Sequence, residues 1–159
     1  MNLTHLITPQ QLLLVQILST AMMTGLIWFV QIVHYPLFTK VPEEGFTAYE
    51  RSHTVRTGWV VAPIMLVELV SALAFLLSSG LEGWDFKPAG DPLNLMALGC
   101  LVLIWISTFL IQVPFHGILE KRPDRRVMNL LASTNWIRTV LWTTRLGLLA
   151  GLVSKSVTP

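Results

Sequence analysis

The chain has 159 residues, 53% of them hydrophobic and only 13% charged. A water-soluble domain averages roughly 25% charged residues, so this composition excludes an ordinary soluble core and indicates one small polytopic membrane domain. The formal net charge of +2 is carried by connecting segments rather than a nucleic-acid surface, and the single cysteine, Cys100, excludes a disulfide framework and a Cys-rich metal site.

Crossing a bilayer takes about 20 apolar residues, and four stretches qualify, at about 11–33, 58–79, 93–116 and 130–153. The first lacks a basic leader and is too long for a signal-peptide core, so it reads as a span. Thr8-Pro9-Gln10-Gln11 supplies its cap, and it closes on FVQIVHYPLF (29–38), which places Gln31, His34 and Tyr35 at the apolar boundary. The second helix is predicted from Pro42 to about Leu77, with Glu43 and Glu44 at the positive end of its dipole. At ~1.5 Å per residue it is roughly 50 Å long, more than a ~30 Å hydrocarbon core needs. Its first turns therefore stand at the interface or beyond, and Pro63 is predicted to kink it. Segment 80–91 is a loop. The third helix opens at Asp91-Pro92 and ends in FLIQVPFHGIL (109–119), where Pro114 frees the carbonyl of Leu110. The fourth opens at Pro123-Asp124 and contains NWIRTVLW (135–142). Prolines at the first helical position are expected throughout, and Pro36, Pro63 and Pro114 together favour a widened cavity.

Lys40, Arg51 and Arg56 flank the first connection, and Lys121, Arg122, Arg125 and Arg126 the third, against Lys87 and Lys155 on the other side. The positive-inside rule then places both basic connections in the cytoplasm and both termini outside. The expected location is an integral one, in a bacterial inner membrane.

A shift of 82 residues lays His34 on His116, His53 on Asn135, Arg56 on Arg138 and Thr57 on Thr139, so that SHTVRT (52–57) meets TNWIRT (134–139). The halves then read as two parallel hairpins related by an axis along the membrane normal. Within this scheme Gln31 and His34 share a face of helix one, and Gln112 and His116 a face of helix three. His53 with Arg56, and Asn135 with Arg138, do so on helices two and four. All eight fall in one layer near the cytoplasmic boundary. Intramembrane polar groups are costly and usually face the bundle interior. Deeper in, Glu68 needs a cation, and Arg138 or Arg145 is the expected partner. The plainer alternatives are a His at a solvated helix end, a Glu–Arg pair acting only as glue, and tryptophans forming an interface belt.

His34, His53 and His116 are a sensible ligand set for copper, iron or zinc, and His34 with His116 can hold a haem from both faces. Neither a His-x-x-x-His nor a Glu-x-x-His spacing is read as supporting the metal. Arg56 and Arg138 suit an anionic group, as do the amides of Gln31, Gln112 and Asn135. Without any cofactor, a base (His34, His53 or His116) beside a cationic or amide pocket suffices to form and hold an enolate.

The chain resembles the anthrone-oxygenase-like family of small four-helix membrane proteins. The resemblance rests on QVPFHGIL at the end of helix three and NWIRTVLW on helix four. It implies a site containing Asn135, Trp136, Arg138 and the 112–116 segment, and it departs at His116, where the family more usually has Asn. FTAYERSHTVRTGWVVAP (46–63) is more faintly similar to the haem-associated membrane protoporphyrinogen oxidase family. Both resemblances imply oxidation of hydrophobic aromatic or polycyclic substrates.

The resulting expectation is an all-α, four-helix transmembrane bundle of two pseudo-repeated hairpins, spanning 1–159 as one domain. It is expected to be an oxidoreductase or oxygenase-like protein taking a hydrophobic small molecule from lipid into a polar cavity. His34, His53, His116 and Arg138 are the catalytic candidates, with Gln31, Gln112, Asn135, Arg56 and Glu68 as binding groups. The alternatives are a non-catalytic subunit of a larger membrane complex, or a homo-oligomer, holding a haem, pigment or lipid, and a small carrier of protons or anions.

Overall fold

The computed structural model describes residues 8–78 and 88–157, so His5, Trp84 and Lys87 lie outside the described residues, as does most of the 80–91 loop. Among them the fold is all-α, with no strand. Helix α1 (Pro9–Phe29) runs through a π-turn (Val30–His34) into α2 (Tyr35–Phe38). Helix α3 (Glu43–Leu77) follows, then a 3₁₀ turn at Pro88–Gly90. Helix α4 (Pro92–Ser107) passes through a second π-turn (Thr108–Gln112) into α5 (Val113–Leu119), and α6 (Arg125–Val157) closes the chain.

The helix starts follow their caps. The Thr8 hydroxyl accepts from the Gln11 N–H at 3.3 Å, while the Thr8 N–H donates to Gln11 Oε1 at 2.8 Å, a reciprocal box that satisfies two orphan donors. Asp91 Oδ1 accepts from Leu93 N–H at 2.8 Å, and Asp124 Oδ1 from Arg126 N–H at 3.0 Å. Proline opens the helix only at Pro9 and Pro92; Pro42 and Pro123 stand before their helices. Pro63 is absorbed in a continuous α3. Pro36 and Pro114 are not: each lies two residues past the end of a π-turn. A proline has no N–H and its ring crowds the carbonyl four residues back, and a widened turn relieves both.

Pro9–Phe38, Glu43–Leu77 and Pro92–Leu119 are long and apolar enough to cross a membrane. Helix α6 matches them in length, at 33 residues, but carries four arginines, Arg125, Arg126, Arg138 and Arg145. Polar groups are turned inward and apolar ones outward. Gln16, Thr20, Glu68, Asn135, Thr139 and Arg145 are buried, while Met22, Phe29, Val70, Leu77, Leu110 and Val140 are exposed. An apolar belt of that extent suits lipid rather than water.

Helix α1 packs along α3 and α6, and α4 packs along α6. By contrast, α3 approaches the α4–α5 rod at the rod's two ends, through the Pro88–Gly90 turn and through α5. One apolar cluster, around Met23, Ile27, Phe38, Phe46, Leu131 and Trp142, fills the half of the molecule that bears α2 and α5. A second, around Leu13, Phe75, Ala97 and Leu149, fills the other half.

Glu68 ties the rods together between these clusters. Its carboxylate accepts from Thr20 Oγ1 at 2.7 Å, Arg145 Nε at 2.8 Å and Trp142 Nε1 at 3.1 Å. Arg145 also donates to the Ala97 carbonyl at 2.6 Å and to Gln16 Oε1 at 3.1 Å. Of the two cations expected for Glu68, Arg145 is the partner. The clamp draws on α1, α3, α4 and α6, and both charges are wholly buried.

Candidate functional site

The polar layer lies where the two π-turns meet α3 and α6. Helix α5 presents His116, whose Nδ1 lies 2.5 Å from Glu50 Oε1 and whose Nε2 lies 3.1 Å from the Tyr35 hydroxyl. Glu50, on α3, is wholly buried, and its second oxygen has no hydrogen-bond partner among the described residues. Beyond Tyr35 stands the Arg138 guanidinium, which also lies 5.1 Å above the Trp142 ring. Glu50, His116, Tyr35 and Arg138 thus form one chain of contacts across four rods.

A second pair adjoins it. His34 Nε2 and His53 Nδ1 are 3.0 Å apart, and the Thr57 hydroxyl is also 3.0 Å from His53 Nδ1. Phe38 packs edge-on against both rings, and Tyr49 stacks on His53. The amides do structural work nearby. Asn135 Nδ2 donates to Gln31 Oε1 at 2.9 Å, Gln31 Nε2 to the Ala132 carbonyl at 3.1 Å, and Gln112 Nε2 to Thr134 Oγ1 at 3.1 Å. Each π-turn is thereby fastened to α6.

Between α3 and the α4–α5 rod, where the two are held apart, lies a cavity of about 340 Å³. Thr57, Gly58 and Val61 form one wall, and Thr108, Gln112 and His116 the other. Tyr35, His53 and Arg138 supply most of the remaining polar groups of an otherwise largely apolar lining. Two atoms of the lining residues, Arg138 Nε and Gln112 Oε1, are buried without a partner among the described residues. Such groups are costly unless something else satisfies them.

Most of the residues singled out from sequence do converge here: Gln31, His34, His53, Gln112, His116, Asn135 and Arg138. Arg56 does not. It is exposed, on the outer side of the His34–His53 pair. Glu68 belongs to the separate clamp. Trp136, which the family resemblance implied, is 42% exposed and packs edge-on against Trp28 on the outer face. The proposed equivalence of His34 and His116 is out of step with the backbone. The π-turns and the prolines after them repeat at a spacing of 78 residues, not 82. That slip of four residues is about one helical turn.

Glu50 was missed. Its signal was the spacing Glu50-Arg51-Ser52-His53, a Glu-x-x-His that puts both side chains on one helix face.

The histidines come together but do not form a ligand set. Both nitrogens of His116 are engaged by Glu50 and Tyr35, and His34 and His53 turn nitrogens toward each other. Among the described residues no group of three His, Cys, Asp or Glu side chains is arranged to hold a metal ion. Nor does a haem fit between His34 and His116, because the His53 ring stands between them, 4.4 Å from one and 5.6 Å from the other, centroid to centroid. Comparisons with models of protein families, with curated proteins and with solved structures find no match to this chain.

Proposed function

We propose that the chain is a membrane-embedded, oxygenase-like oxidoreductase that takes an apolar substrate with an acidic C–H or phenolic O–H from the bilayer and deprotonates it without a metal. The observation that carries this is the Glu50–His116–Tyr35 chain ending in a largely apolar cavity beside Arg138. The frame is a four-helix transmembrane bundle of two hairpins, with α6 as the fourth span and the basic connections on the cytoplasmic side. The family resemblance points the same way.

With Nδ1–H donated to Glu50, His116 keeps Nε2 as an acceptor, and the Tyr35 hydroxyl donates to it. A substrate proton delivered to the Tyr35 oxygen passes its equivalent on to His116 Nε2. The enolate or phenolate oxygen left behind is stabilised by the positive charge of Arg138, which borders the cavity. General base catalysis of this kind supplies about 10²–10⁴-fold. Dioxygen, also soluble in the bilayer, is the oxidant. The carbanion left by the CH₂ adds it to give a peroxide anion, takes back the proton to become the hydroperoxide, and loses water to give the ketone. The balance is one dioxygen consumed and one water released per ketone formed.

Anthrone, a polycyclic ketone with an acidic CH₂, is a suitable probe. In deuterated buffer the purified protein should accelerate deuterium uptake at that carbon and consume oxygen. His116→Gln should slow the exchange about 10²-fold or more, and Tyr35→Phe should also slow it. Equal exchange rates with wild type and His116→Gln would discard the reading.

A further inference from the structure

We infer that His53 and His34 form a proton relay joining the lipid-facing cavity to water outside the bundle. The inference rests on the cavity assigned above as a site of proton transfer. Such a cavity, set among largely apolar side chains, has to exchange protons with water by some path.

His53 is placed to begin one. It lines the inner cavity and also a separate outer cleft of about 300 Å³, formed with His34, Tyr49, Ser52, Arg56 and Thr57. Its ring is therefore part of the partition between the two spaces. Across that partition the His53 Nδ1 to His34 Nε2 distance is 3.0 Å, the separation of a made N–H···N hydrogen bond. The Thr57 hydroxyl also lies 3.0 Å from that nitrogen of His53, and the edge of Phe38 packs against both rings. The charged and titratable groups facing the pair are Glu50 and His116 on the cavity side, and Arg56 and Tyr49 on the outer side. Glu50 is bonded to His116 through Oε1, and no hydrogen bond joins it to His53 or His34.

The transfer balances. A proton arriving from the cavity forms an N–H bond at His53 Nε2 while the His53 Nδ1–H bond breaks. That second proton forms the His34 Nε2–H bond, and His34 releases its own Nδ1 proton to water in the outer cleft. No net charge stays on either ring, and the reverse sequence returns both to their starting tautomers. A pair of histidines serving only to tie α3 to the α1–α2 rod has no need to line both spaces.

The test uses the full chain, ¹⁵N-labelled at histidine, in lipid nanodiscs, with no substrate. A scalar coupling between the His34 and His53 ring nitrogens is expected across the shared proton. Exchange of the His53 ring proton with deuterated buffer should slow at least tenfold in His34→Phe. In Ser52→Trp, which crowds the outer cleft and leaves both histidines in place, it should slow likewise. The second variant covers the case in which His34→Phe does not fold. Unchanged exchange in Ser52→Trp, or in a folded His34→Phe, would overturn the relay, because protons would then be using the cavity's lateral mouth. Because no substrate is present, slowed exchange without anthrone chemistry would sink the enzymatic reading alone.

Discussion

Two buried carboxylates in this molecule have opposite roles, and their hydrogen bonds distinguish them. Glu68 takes three donors and faces a guanidinium whose three nitrogens each have a partner, which marks the pair as structural. Glu50 takes one partner on one oxygen, and the other has none among the described residues. The Glu68–Arg pairing was legible because a lone carboxylate amid apolar residues requires a cation. Glu50 was hidden because its partner, His116, is 66 residues away, and because attention to the histidines passed over the carboxylate one turn earlier. A stability prediction belongs to Glu68. Glu68→Ala leaves Arg145 buried and uncompensated, which should cost about 3–5 kcal/mol. Replacing both, as in Glu68→Leu with Arg145→Met, should cost clearly less than Glu68→Ala alone. Denaturation midpoints in a fixed mild detergent check the order; a double variant less stable than Glu68→Ala would contradict it.

At the scale of the element, the two π-turns decide which side chains reach the cavity. On the α4–α5 rod, Thr108, Gln112 and His116 all line it, yet they are spaced by four residues. In an α-helix each such step overshoots a full turn by about 40°, so three in a row would drift off the wall. The Thr108–Gln112 π-turn absorbs that drift. Ile27, Gln31 and Tyr35 show the same spacing across the Val30–His34 turn. The spacing was visible in the sequence, and the prolines signalled a disturbance. A π-turn did not follow from either, since Pro63 shows that a proline can also sit in an unbroken helix. A π-turn holds one residue more than the α-turn it replaces. Removing Ile32, which is 57% exposed on the outer face, should therefore convert the first π-turn to α-helix and leave a folded protein. Removing Leu18, inside regular α1, rotates everything on one side of the deletion by about 100° and should abolish folding. Size-exclusion profiles and circular dichroism of the two deletions give the answer; equal damage from both would mean the widened turn has no spare residue.

For the molecule as a whole, the membrane character and the helix starts were readable from composition and caps, whereas the cavity was not. It arises because α3 contacts the α4–α5 rod at its ends and is held off between them, and such spacing is set by side chains on four different segments. Gly58 stands in the gap. A Cβ added there meets nothing within 4 Å, and the same holds at Gly25 on α1, which does not line the cavity. A tryptophan at either position meets no obstacle at its Cβ, so stability should shift little, by about 0.5 kcal/mol for a surface-type change. The consequences for function should differ. Gly58→Trp projects into the space between Thr57, Val61 and His116 and should cut anthrone deuterium exchange at least tenfold. Gly25→Trp, with the same added bulk and the same lipid exposure, should leave the rate within twofold of wild type. If both variants keep full exchange while remaining folded, the substrate does not enter between α3 and the α4–α5 rod, and the lateral cavity loses its claim to be the site. If Gly58→Trp alone is blocked and its His53 ring proton still exchanges at the wild-type rate, entry of substrate and exit of protons use separate doors. The partition made by His53 requires that separation.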